Sequence, residues 1–150
     1  MMLPHLEAMR PHQWVKNLLV MAPLLFTTQI DQPGAWLAAA VAFASFCMAA
    51  SSIYLLNDIV DREEDARHPK KRHRPIASGR LPVGAAKVQL LLLLAATVGL
   101  GSLGPSGRAP FVLWPLAYLA LNLAYSFWLK RMVVIDCMCI AIGFQLRVQA

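Results

Sequence analysis

Residues Ser51–Arg80, SSIYLLNDIVDREEDARHPKKRHRPIASGR, mark the place where an uncharged apolar segment stops and charge crowds in. Five of the chain's eight acidic residues (Asp58, Asp61, Glu63, Glu64 and Asp65) fall within eight positions. Seven of its fourteen Lys and Arg follow or interleave: Arg62, Arg67, Lys70, Lys71, Arg72, Arg74 and Arg80. A dense polar block at the mouth of an apolar helix suggests a site where ions meet a membrane-buried reaction.

If the helix entering from Ile53 continues, Asp58, Asp61 and Asp65 share a face within roughly 60° of arc. They would rise about 4.5 and 6 Å apart along the axis. Like charges on one stripe repel unless a cation sits between them. Carboxylates with room for phosphate and water suit Mg²⁺, which takes one or two carboxylates plus substrate phosphates. Glu63 and Glu64 point off the stripe, toward solvent. The plainer alternative is a helix end whose acids pair with nearby Arg.

The basic half follows His68-Pro69, where proline ends any helix. A cationic loop (Lys70, Lys71, Arg72, Arg74) can grip phosphate, with Arg forking two oxygens and Lys acting as a point charge. It can also act topogenically, since basic loops stay in the cytoplasm. One loop can serve both ends.

The chain's 150 residues are 58% hydrophobic and only 15% charged, against roughly 25% charged for soluble domains. The apolar residues come in long runs and the mean hydropathy is +0.53, which decides for a membrane. The net charge of +6 is confined to a few loops. That disfavours nucleic acid and favours anionic lipid or phosphate. Cys47, Cys137 and Cys139 all lie in apolar segments and form no disulfide framework. The first apolar run contains Pro23 and lacks a cleavage pattern, so no cleavable signal peptide is expected.

Trp14 and Lys16 open a first apolar run to about Ile30, either kinked at Pro23 or re-entrant, with Trp14 in the headgroup belt. Further helices are expected at Gly34–Asn57, from Pro82 to about Gly101, and at Phe111–Leu129. A fifth starts at Met132, carries Asp136 and is cut off at the chain's end. The N-terminus, the 58–80 loop and Lys130-Arg131 hold nearly every basic residue and fall on one side. That side reads as cytoplasmic, in a multi-pass protein of the cell (inner or plasma) membrane.

The stretch Asn57-Asp58-Ile59-Val60-Asp61-Arg62-Glu63-Glu64-Asp65 resembles the first aspartate-rich motif of the UbiA superfamily of intramembrane prenyltransferases. His68–Pro82 resembles the loop that follows it. The opening RPHQWVKN (Arg10–Asn17) and YSFWLKR (Tyr125–Arg131) resemble a branch that transfers 5-phosphoribose from phosphoribosyl diphosphate to a polyprenyl phosphate such as decaprenyl phosphate, for cell-wall precursors. The resemblance implies an all-α, polytopic transmembrane bundle. About five spans, each of roughly 20 apolar residues, would be present here of roughly nine in the family. Residues 1–150 would thus be the N-terminal part of one membrane domain, truncated in the fifth helix, with a C-terminal half as a further partner that would help form the pocket.

The same resemblance implies Asp58 and Asp61 as catalytic Mg²⁺–diphosphate ligands, with Asn57 and Asp65 completing the metal set. Lys16, Lys70, Arg72 and Arg74 would bind substrate phosphate, and Tyr125 and Lys130 would line the pocket. Lys16 reads equally as an interfacial anchor, and Tyr125 as a packed helix-end aromatic. Asp136, an ionisable group within a span, is either a pocket residue or a partner for Lys130-Arg131. Two other functions stay open. One is prenyl transfer to an aromatic acceptor, as in quinone synthesis; the other is an inactive fragment or Mg²⁺-binding membrane scaffold.

Overall fold

A computed structural model of the chain describes residues 3–26, 31–103, 111–127 and 141–148. All regular structure among them is helical. The order is α1 (Pro4–Met9), a 3₁₀ segment (Pro11–Met21), α2 (Ala22–Leu25), α3 (Pro33–Val60), α4 (Arg62–Arg67), a 3₁₀ turn (Lys71–His73), α5 (Val83–Ser102) and α6 (Leu113–Phe127). Residues 141–148 are helical as well.

Helix α3 is the spine. Pro33 opens it at the first turn, where a missing N–H costs nothing, and its 28 residues are long enough to cross a bilayer. It ends three residues beyond the expected Asn57, so Asp58 belongs to its last turn. Its small residues Ala42, Ser45, Ala49 and Ser52 are buried and let neighbours approach. The most extensive partner is α5. Ser45 Oγ donates to the Thr97 carbonyl at 3.0 Å, and Thr97 Oγ1 donates to the Leu93 carbonyl at 2.8 Å.

Helix α5 also has the length and composition of a span. Leu93, Thr97 and Gly101 form its buried stripe, whereas Leu91, Leu92 and Val98 stay exposed. A helix apolar on every side is what lipid contact requires. Two buried clusters flank α3: Phe46, Ala49 and Ile53 with Tyr118 and Leu119 of α6, and Leu55 with Ile76, Leu81 and Ala86.

The expected first span differs from the structure. Residues 11–21 form an eleven-residue 3₁₀ helix, longer than the 3–4 residues that this geometry usually sustains, and four residues of α-helix follow. Side chains hold it from outside. Trp14 Nε1 donates to Ser51 Oγ of α3 at 3.0 Å, so the half-buried Trp14 ties the segment to α3. Buried Asn17 donates to Cys47 Sγ at 3.3 Å. The expected fourth helix is described over Leu113–Phe127, and the start of the fifth lies outside the described residues.

Gly101 is where α5 meets the approach to α6. A Cβ there would lie 3.0 Å from Val112 Cα. Gly101→Val should therefore lower stability in detergent by about 1–3 kcal/mol, read as a lower unfolding temperature. Gly99→Ala, whose Cβ would meet nothing within 4 Å, should leave it unchanged or raised.

Candidate functional site

The acidic motif does not form one continuous stripe. The helix is interrupted at Asp61 (φ −86°, ψ 9°), between α3 and α4. The Asp61 N–H still bonds the Asn57 carbonyl at 2.8 Å, and the Asp65 N–H bonds the Asp61 carbonyl at 2.8 Å. The turn stays tight, but the acids separate into two kinds. The side chains of Asp58 and Asp65 are buried, at 3% and 1% exposure, while Asp61 is half-buried. Among the described residues Asp61 takes part in no ion pair.

Arg74 joins the buried pair. Its Nη1 lies 2.6 Å from Asp65 Oδ2 and 3.1 Å from Asp58 Oδ1. The loop delivers it there: Pro75 and Ile76 are buried, Ile76 packs with Leu55 of α3, and the chain turns at Gly79 with φ +76°, a backbone conformation that glycine adopts without strain. Arg10 closes the other side, with Nη2 2.7 Å from Asp58 Oδ1 and its guanidinium 4.9 Å from the centre of the Tyr54 ring. Lys71 Nζ stands 3.7 Å from Asp65 Oδ1, an oxygen with no hydrogen-bond partner among the described residues.

Arg10 has φ +53°, the only positive φ outside glycine among the described residues. Proline at position 11 disfavours right-handed helix at the residue before it. The break between α1 and the 3₁₀ segment falls there and turns the Arg10 side chain onto α3. Left-handed backbone in a residue with a Cβ costs about 1–3 kcal/mol, offset here by an ion pair and a ring contact.

These groups surround a cavity of about 320 Å³ lined by Glu7, Arg10, His12, Asp58, Lys70, His73, Arg74 and Pro75. Five basic or titratable nitrogen side chains stand against two carboxylates, Asp58 and Glu7, so the space suits a polyanion. Of the phosphate-binding candidates, Lys70 and Arg74 line it and Arg72 does not. Arg72 is exposed, with its Nε donating to His73 Nε2 at 3.4 Å. Lys16 and Tyr125 line a second cavity. Lys130 and Asp136 lie outside the described residues.

Sequence reasoning assigned no role to Arg10, His12, His73 or Tyr54. Arg10 alone carried a signal, as a cation locked before a proline at the entry to the first apolar run.

For a divalent cation, no three His, Cys, Asp or Glu side chains converge among the described residues. The donors that do approach one another, Asp58 and Asp65, still fit Mg²⁺. Both are buried, one oxygen of Asp65 is unpartnered, and Mg²⁺ commonly takes only one or two carboxylates beside substrate phosphate.

Glu7 tethers the outer wall. Its two carboxylate oxygens each accept a hydrogen bond of 2.8 Å from Arg80, and this bond to Arg80 holds the Glu7 pKa below the ordinary carboxylate value. The contribution of a carboxylate with a lowered pKa is complete above the ordinary glutamate pKa of about 4.3. It is lost as pH falls through the lowered value. The stability difference between wild type and Glu7→Gln should therefore be constant from pH 8 to about 5 and shrink toward zero below that, measured by thermal unfolding across pH.

Residues 18–150 match the family model described as the UbiA prenyltransferase family. The chain is 44% identical over 147 residues to decaprenyl-phosphate phosphoribosyltransferase of Corynebacterium glutamicum, covering 97% of this chain and 44% of that one. It is 40% identical to the enzyme of the same name from Mycolicibacterium smegmatis, covering 95% of this chain and 45% of the relative. It is 37% identical to nodulation protein NoeC of Azorhizobium caulinodans, covering 96% and 46%. The chain thus spans just under half the length of these relatives. With an all-helical bundle, two helices fit to span a bilayer and a family match over nearly its whole length, the chain belongs to the UbiA prenyltransferase family.

Proposed function

We propose that the chain forms the diphosphate-binding part of a membrane transferase that moves 5-phosphoribose from phosphoribosyl diphosphate to a polyprenyl phosphate. In that reaction the bond from ribose C1 to the diphosphate oxygen breaks. A bond from C1 to an oxygen of the lipid phosphate forms, and diphosphate leaves. The observation that carries this reading is the cation-lined cavity around Asp58 at the end of an apolar helix. The names of the relatives favour phosphoribose over a prenyl chain as the group transferred.

Asp58 and Asp65, helped by Asn57 and Asp61, would hold Mg²⁺, which when bound neutralises diphosphate charge and eases its departure. Arg74 and Arg10 already lie against the Asp58 carboxylate, close enough to share the charge that builds on the leaving group. Lys70, His12 and His73 add positive potential around the cavity. The apolar faces of α3 and α5 would hold the lipid and exclude water. The basic loop would face the cytoplasm, where phosphorylated sugars are made, and the rest of the bundle would come from a second half matching the remainder of the relatives' length.

In membranes carrying the full-length protein, labelled phosphoribosyl diphosphate and decaprenyl phosphate should give labelled lipid. Asp58→Asn and Arg74→Ala should each lower that rate by about 10²–10³, with the protein still in the membrane fraction. Undiminished transfer in both variants would contradict the assignment. So would labelled lipid formed only from a prenyl diphosphate and an aromatic acid.

A further inference from the structure

Helix α1 brings Glu7 and, at its end, Arg10 to the cavity around Asp58, yet little protein holds it there. Its ion pair with Arg80 is exposed. So are the bonds that join Gln89 of α5 to the His5 ring at 2.7 Å and to the His5 carbonyl at 3.0 Å. Exposed polar ties of this kind contribute little. Among its side chains Ala8 alone is buried, with Met9 partly buried against the same cluster and the Met9 carbonyl accepting from Ser51 Oγ at 2.9 Å.

The opposite face is apolar and open. Leu3 and Leu6, three positions apart, are 67% and 44% exposed. The 3₁₀ segment continues the pattern at its own period of three: Asn17 and Val20 are buried, whereas Val15 and Leu18 are exposed. The bonds to Gln89 seat α1 against α5, whose Val88, Leu91 and Leu92 are exposed on a helix with the length and composition of a span. Gln89 lies about 9 Å along the axis from the first residue of that helix, Val83. Lys87 stands at the same level, exposed and in no ion pair among the described residues. An ammonium on an apolar helix at that depth marks the level of the lipid phosphates. The open face of α1 thus lies where the apolar surface of α5 begins.

We infer that α1 is an interfacial helix: Leu3 and Leu6 dock into the lipid leaflet at the Asp58 end of the bundle, and the leaflet keeps Glu7 and Arg10 on the cavity wall. A helix lying along the boundary between head groups and acyl chains buries one apolar face in lipid and leaves the other against protein. Lipid thereby supplies the burial that Ala8 and Met9 supply only in small part. The backbone beyond α1 turns sharply at Arg10, with φ +53°, so the position of α1 sets where the Arg10 guanidinium stands. The docking itself is independent of the proposed transfer; its effect on the cavity rests on that reading.

Full-length protein in phosphatidylcholine vesicles tests both parts. A cysteine-reactive nitrobenzoxadiazole dye is placed at Leu6→Cys, with the same dye on a phospholipid as the lipid reference and at Glu63→Cys as the water reference. The unsubstituted protein gives the background. Lipids spin-labelled high on the acyl chain should quench position 6 about as strongly as the lipid reference and leave position 63 unquenched. Water-like emission at position 6 would mean that no lipid covers this face. Blue-shifted but unquenched emission would mean that protein covers it. Either result overturns the inference. In the same vesicles, calorimetric affinity for magnesium diphosphate should weaken about fivefold or more when Leu3→Glu and Leu6→Glu are combined, since a loosened wall must be ordered again on binding. Leu6→Phe should keep the wild-type affinity. Unchanged affinity in the double variant overturns the link to the cavity. If the wild type binds no diphosphate, the proposed function fails, while quenching still decides where α1 lies.

Discussion

Two carboxylates, Asp58 and Asp65, are removed from water at the end of a membrane helix and share a single guanidinium, that of Arg74. Leaving either acid buried and charged without a partner would cost several kcal/mol. The loop carrying Arg74 therefore folds back onto α3 to supply that partner. Arg10 obeys the same demand from the other side and accepts a left-handed backbone to meet it. The path of the chain from α1 to α5 follows from that electrostatic requirement as much as from the apolar packing of Leu55, Ile76 and Leu81.

A group of charges held so tightly is also prepared for a charged ligand. The pairs satisfy one another in the absence of substrate, yet they border a cavity wide enough for a diphosphate. A phosphate entering there meets cations that are already fixed in place, so little reorganisation is needed at the moment of reaction. Asp65 Oδ1 has no hydrogen-bond partner among the described residues, and Lys71 Nζ stands 3.7 Å from it.

Much of the fold could be read from residue pattern. The uncharged run after Pro33, the polar block from Asn57 and the opening of α5 after Pro82 announced themselves through composition and proline position. The break at Asp61 could not be read, because spacings of three and four residues between acids are those of an unbroken helix. The tie of Trp14 to α3 was hidden for a similar reason: nothing local reveals the Ser51 hydroxyl that it bonds. Arg147, 130 residues from Asn17, could meet it only through tertiary structure.

The most direct measurement of the central interaction is a double-mutant cycle on Arg74→Ala and Asp65→Ala, with stability read by thermal or chemical unfolding in detergent. A guanidinium held between buried carboxylates predicts a coupling energy of about 1–3 kcal/mol, with each single variant costing more than its share of the double. Additivity of the two changes within about 0.5 kcal/mol would show that Arg74 does not bridge the acids, and the account of how this chain is folded around its site would fail.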